Sequence, residues 1–194
     1  MNAIIKSGLM AMFVMWSMST LLGQKKVKTF TVDRIIQAPA ENVWKVVGED
    51  FGAIANSHPL IVSSTYLNGS LKGGEGAERQ CNMNAKGTKY VREKQINYDP
   101  DNYTFKAKVY HVGKLPLDPD HNFAVYRVEP IDENTSRLIF NMTLRTKPAF
   151  MGGMAKNKFK KTIADYLLAV DHHVRTGETV NRNNFKEIKK NYQS

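Results

Sequence analysis

The sequence predicts an α+β fold: a curved, seven-stranded antiparallel sheet around one long C-terminal helix, with two short helices after strand 1. Three observations carry that prediction. Apolar-alternating runs follow one another from residue 60 to 146, separated by turn chemistry. After Pro148 the apolar period changes from two to 3.6 and holds for about seven turns. One more alternating run stands near the start, divided from the others by short helical signals.

The first strand is read over 27–37. Phe30, Val32 and Ile36 share one face and Thr29, Thr31 and Asp33 the other, the pattern of a half-buried strand. Ala38-Pro39-Ala40-Glu41 ends it, and Pro39 suits the first turn of a helix. Val43, Trp44, Val46 and Val47 then recur at helical spacing up to Gly48. A second short helix covers Phe51–Asn56 and stops at His58-Pro59, because proline pushes its predecessor out of the helical region.

Six strands follow, over 60–67, 77–83, 88–97, 103–112, 122–131 and 135–146. Asn68-Gly69, Gly73-Gly74, Lys86-Gly87, Asp99-Pro100-Asp101-Asn102 and Asp132-Glu133-Asn134 punctuate them. The stretch 113–121, with Pro116 and Pro119, is a loop. The last long element sets Met151, Met154, Phe159, Ile163, Tyr166, Leu167, Val170 and Val174 on one helical face. Lys156, Lys158, Lys160 and Lys161 lie opposite, and Gly177 supplies the stop. Residues 178–194 are polar and basic, and read either as a short helix over 185–192 or as a frayed end.

The domain organisation is a signal peptide over 1–23, one domain over 24–178 and a basic C-terminal tail over 179–194. The apolar run 9–22 is shorter than the ~20 residues a spanning helix needs, and Gly23/Gln24 is the preferred cleavage point. An uncleaved anchor is the other reading of the same run. Export to a periplasmic or secreted destination follows from the first reading. The single cysteine, Cys81, excludes an intrachain disulfide framework and a Cys-based zinc site. Neither a phosphate-binding Gly-x-x-x-x-Gly-Lys loop nor a Gly-x-Ser-x-Gly elbow is present.

A sheet with one apolar face needs a cover. One helix laid over a strongly curved sheet touches only part of the concave face, so this architecture predicts a cavity between the two. The hairpin loop Ala85-Lys86-Gly87 pairs Asn84 with Thr88. Counting back along that ladder sets Arg79 opposite Glu93 and Cys81 opposite Val91, all on the concave side. Arg79 and Glu93 read either as a polar handle for a ligand or as a buried structural ion pair. His58 reads either as an acid/base near the cavity mouth or as a helix-stop residue. Tyr103, Phe105, Val109 and His111 on one strand, and Phe123, Val125 and Arg127 on the next, are placed inward by parity. So are Phe140 and Met142 on the last strand, while Met151, Met154, Phe159 and Tyr166 close the roof. For these wall residues, plain packing is the alternative role.

Taken together, several segments resemble the START/polyketide-cyclase (SRPBCC) superfamily, with its helix-grip fold. They are Ala38-Pro39-Ala40-Glu41-x-Val43-Trp44, Asp50-Phe51-Gly52, His58-Pro59, Gly76-x-Glu78-Arg79-x-Cys81, Gly87, Arg92-Glu93, Tyr103, Pro116 and Val128-x-Pro130. The resemblance spans about residues 27–178. It implies a cavity for a lipid, polyketide or aromatic compound, in a family whose members include carriers as well as cyclases and aromatases. On this reading the protein is an exported carrier of a hydrophobic or amphipathic molecule. The alternative is a cyclase- or lyase-like enzyme with Glu93 or His58 as acid/base and Arg79 stabilising negative charge.

No cofactor and no metal is expected. The adjacent His172 and His173 point about 100° apart on a helix and cannot share one ion. The net charge is +10, and its concentration on the helix and tail reads either as a solvated charged face or as a patch for weak contact with an anionic membrane surface or an acidic partner. A nucleic-acid partner fits poorly, since no interleaved aromatic-basic motif is present. The oligomeric state is open.

Overall fold

The computed structural model describes residues 27–70 and 72–192. The expected signal peptide, residues 1–23, lies outside them. Strand β1 (Lys28–Ile36) is followed by helix α1 (Ala40–Trp44), which continues as a π turn over Lys45–Glu49, and then by a 3₁₀ helix over Phe51–Asn56. Strands β2 (Ser63–Leu67), β3 (Glu78–Asn82), β4 (Tyr90–Asp99), β5 (Thr104–Val112), β6 (Phe123–Asp132) and β7 (Thr135–Leu144) come next. Helix α2 (Gly152–Thr176) and the short α3 (Phe185–Lys190) complete the chain.

All seven strands form one antiparallel sheet in the order β1-β7-β6-β5-β4-β3-β2. Every sequence-read strand is present within a few residues at each end, and α2 closes on Gly177 in the left-handed conformation (φ 74°). With the long helix against the concave face, this is the helix-grip architecture.

Where the core sits decides where the site can be. Trp44, Phe51 and Phe105 are fully buried and stack edge-on under the second half of α2, together with Leu138, Leu144, Leu167 and Val170. From Ile163 through Asp171 most of α2 is buried, whereas between Gly153 and Thr162 none of it is. The side chains of α1 and the 3₁₀ helix fill the space beneath one half of the long helix only. The other half stands away from the sheet.

The turn after α1 is tightly made. A Cβ on Gly48 would sit 2.7 Å from the Trp44 ring, which is itself locked in the core. Neither group has room to yield, so Gly48→Ala is expected to cost about 2–3 kcal/mol. Urea denaturation of the variant checks this; an unchanged midpoint would show that the π turn relaxes freely.

Of the two readings of the C-terminal segment, the helical one holds. Val180 bridges to Ser57, and Ile188 packs on Leu168 and Ala169 of α2. The Tyr192 hydroxyl lies 3.1 Å from His172 Nδ1. The buried Asp171 accepts hydrogen bonds from Arg34 of β1 and Arg175, both at 2.7 Å. Residues 179–192 are therefore packed onto the domain and do not trail from it.

Candidate functional site

A cavity of about 580 Å³ lies between the first half of α2 and the concave sheet face. Val91, Val109, Ala124, Phe140 and Met142 form its floor, and Met151, Met154, Ala155, Phe159 and Ile163 its roof. Ile54, Leu60 and Ile61, and the β5–β6 loop at Leu115 to Leu117, complete the walls. The surface offered is overwhelmingly apolar. The buried Arg79, His58, Tyr126 and Tyr166 and the half-buried Glu93 lie close enough to act on one another, and the buried Asn122 and Thr146 border the cavity as well.

Arg79 pairs with Glu93 in the register expected from the three-residue hairpin loop, and Cys81 with Val91. Gly87 holds the left-handed position of that loop (φ 63°). The guanidinium is almost wholly buried (3% exposed). Its Nε donates to Glu93 Oε2 at 2.8 Å, and Nη2 reaches the same oxygen at 2.7 Å. Nη1 donates to the Phe51 carbonyl at 2.6 Å, and the group lies 3.7 Å over the Phe51 ring. Burial works against its charge, but the Glu93 carboxylate outweighs that and raises the Arg79 pKa. The pair is thus neutral as a unit. Glu93 Oε2 carries both Arg79 bonds and a 3.8 Å contact from the Cys81 thiol, which leaves Oε1 as the less occupied oxygen.

The remaining polar groups are held protonated or neutral. Burial, then the Arg79 charge, lowers the His58 pKa to about 3. Its Nδ1 accepts the Leu60 amide at 3.0 Å, so the neutral ring carries its proton on Nε2. The ring stacks on Tyr166 at 4.7 Å. The ring is thus held neutral, and the Nε2–H is the donor it offers. Burial raises Tyr126 to about 12 and Tyr166 well above the usual phenol value, so both remain hydrogen-bond donors. Burial also raises Cys81 to about 12, and it stays a thiol.

His58 has a measurable signature. Between pH 6.5 and 3 the unfolded chain takes up a proton that the folded ring refuses, so stability falls as pH drops through that window. The contribution is about 1.4 kcal/mol per pH unit. In His58→Asn the side-chain oxygen can still accept the Leu60 amide. We expect denaturant-derived stability to fall by about 2 kcal/mol less than wild type between pH 7 and 5. Equal losses in both proteins would contradict a buried neutral imidazole.

Of the residues placed inward from sequence, Arg79, Cys81, Val91, Glu93, Val109, Phe123, Phe140, Met142, Met151, Met154, Phe159, Tyr166 and His58 border the cavity. Others do not. Phe105 lies in the packed layer, stacked on Tyr126 at 4.5 Å. Tyr103 has φ 49°, packs on Trp44, and borders a separate small cleft with Arg127. His111 is exposed, because an irregularity in the β4–β5 ladder at Arg92/Glu93 breaks the alternation after Val109. On β6 the parity is reversed. Ala124, Tyr126 and Val128 point inward, Val125 and Arg127 outward, and Phe123 borders the cavity with the Lys106 ammonium 3.8 Å from its ring centre. Tyr126 was therefore missed, although a signal existed: inward parity for Phe123 also turns the charged Arg127 and Glu129 inward. His172 bonds Glu178 at 2.9 Å, and neither it nor His173 borders the cavity. Among the described residues no three potential metal ligands gather.

A family model described as polyketide cyclase/dehydrase and lipid transport matches residues 28–174. No curated protein matches the chain. Several solved structures share its fold. Ara h 8.0201 has 20% identity over 77% of this chain and 99% of that one, with a TM-score of 0.63. Norcoclaurine synthase from Thalictrum flavum, solved with dopamine and hydroxybenzaldehyde, has 15% identity over 76% and 86%, with a TM-score of 0.56. The di-domain ARO/CYC BexL of the BE-7585A biosynthetic pathway has 18% identity over 76% and 46%, with a TM-score of 0.60.

Proposed function

The chain belongs to the polyketide cyclase/dehydrase and lipid transport family, within the SRPBCC superfamily, and we propose that it is an exported protein that binds a neutral hydrophobic or amphipathic molecule in its cavity. A lipid, a polyketide or an aromatic compound satisfies that description. The observation that carries the reading is the distribution of polarity. The walls are apolar, which favours burial of hydrocarbon at ~25 cal/mol per Å². The Arg79–Glu93 pair neutralises itself, and the phenols and the His58 Nε2–H offer donors without net charge. The interior around this pair suits a carbonyl, phenol or hydroxyl, and disfavours a carboxylate there, which would have to compete with Glu93 for Arg79; the cations Lys89, Lys158 and Arg182 border the cavity only where it is exposed. Export rests on the apolar run 9–22.

The test is native mass spectrometry of the purified full chain, followed by a thermal-shift panel of lipids and aromatic compounds. A 1:1 adduct, or stabilisation by neutral members over carboxylate analogues, is expected. No adduct and no shift across the panel would overturn the reading. N-terminal sequencing of chain recovered outside the cytoplasm should begin near Gln24; a retained Met1 there contradicts cleavage.

A second reading, a cyclase- or lyase-like enzyme, is favoured by one feature. Glu93 borders the cavity with Oε1 unclaimed by Arg79, beside two phenols able to donate to a developing oxyanion. Turnover of a carbonyl substrate that disappears in Glu93→Gln, with binding retained, would establish it.

A further inference from the structure

Exposed apolar side chains and unpaired cations stand around the cavity mouth. Met154 (74% exposed) stands in the first turn of α2 and Phe150 (84%) in the 3₁₀ turn before it, next to the cavity-bordering Met151, and Leu60 is also exposed where it borders the cavity. Lys89 of the β3–β4 hairpin, Lys158 of α2 and Arg182 beyond α2 border the same opening, and all three are exposed. Among the described residues none of these cations is in a salt bridge. Lys160 and Lys161 extend the positive surface along the outer side of α2. Glu93 is the single acidic residue bordering the cavity among those described, and Arg79 already neutralises it.

From this juxtaposition we propose that the cavity mouth docks on anionic lipid bilayers, Phe150 and Met154 entering the interface while Lys89, Lys158 and Arg182 meet lipid phosphates. Large apolar side chains held in water by a short turn and a first helical turn gain free energy only when something covers them. The cations beside them select a covering surface that is negative, and an anionic bilayer offers both an apolar interior and a negative headgroup layer. A protein partner would have to present apolar and acidic groups in matching order. The proposal extends the ligand-binding reading, because a mouth seated on a bilayer lets an apolar molecule pass between membrane and cavity without crossing water. The docking step itself does not require that a ligand be bound.

The test is co-sedimentation of the full chain with vesicles of phosphatidylcholine containing phosphatidylglycerol, at low and high salt. Every variant carries the same run 9–22, so differences between variants report on the mouth. Binding should weaken tenfold or more in high salt or on pure phosphatidylcholine, since surface charges are screened beyond about 8–10 Å at physiological ionic strength. Lys89→Glu/Lys158→Glu should weaken it at least tenfold, each cation near such a surface being worth about fivefold. Phe150→Ser/Met154→Ser should weaken it about tenfold, and Lys108→Glu on the outer sheet face should leave it unchanged. All of these positions are exposed, and circular dichroism confirms that the variants fold. Absence of binding to anionic vesicles at low salt, or equal binding by all variants, would overturn the proposal. So would self-association that Phe150→Ser abolishes, which would assign the apolar collar to a second copy. Ligand binding is measured separately without vesicles. A chain that takes up ligand yet ignores bilayers refutes docking alone, and one that binds bilayers but no ligand refutes the carrier reading alone.

Discussion

Arg79→Ala should lower the free energy of unfolding by about 3–5 kcal/mol, the cost of breaking a buried ion pair from one side. The melting temperature should fall by on the order of 10 °C. Three interactions go together: both bonds to Glu93 Oε2, the bond to the Phe51 carbonyl and the contact over the Phe51 ring. Glu93 is left half-enclosed with no cation. The paired replacement Arg79→Met/Glu93→Leu removes both charges and should recover most of the loss, because two apolar side chains need no partner at the cavity wall. Urea denaturation of the three proteins gives the comparison. A single variant as stable as wild type would mean that water reaches the pair and solvates Glu93 on its own. If the paired variant is stable but no longer prefers polar-headed ligands, the pair serves recognition. If it is stable and binds as before, the pair is structural.

Ala124→Phe is expected to weaken ligand binding by at least a hundredfold, about 2.7 kcal/mol. Ala124 lies on the cavity floor between Ala107 and Met142 in the sheet register, facing the hollow. A phenyl ring there occupies the volume a ligand needs. Stability should change by less than ~1 kcal/mol, since the ring enters open space and not a packed core. Val125→Phe, one residue on and on the outer face, should leave binding untouched. The contrast also tests the β6 phase. A reversed outcome would restore the parity read from the sequence, with Val125 inside.

The limits of what the sequence revealed have physical causes. The Arg79–Glu93 register was legible because a three-residue loop with a left-handed glycine leaves little freedom, and Asn84 reinforces it by bonding Thr88 at 2.9 Å and the Lys89 amide at 2.9 Å. The long helix was legible from its period and glycine stop. The phase of β6 was not, because the loop after β5 carries no repeat from which to count. Its hydrogen bonds to residues 145 and 147 come from a distant strand end. The break in alternation on β5 was equally hidden, since an irregular ladder depends on its neighbour and leaves no mark in its own sequence. That a cavity exists follows from the sheet-and-helix architecture. That it lies under the first half of α2 follows from where Trp44, Phe51 and Phe105 stack, a matter of packing between elements far apart in the chain.

The most direct measurement is a titration followed through methionine methyl groups. Met83, Met142, Met151 and Met154 all border the cavity, on the sheet and on the helix facing it. With methionine methyl carbons labelled, adding a neutral aromatic probe such as 1-naphthol should shift these four resonances together along one saturable 1:1 curve, and Ala124→Phe should abolish the shifts. Saturation of the probe with these four methyls unmoved, or shifts that persist in Ala124→Phe, would contradict a ligand held between the sheet and α2.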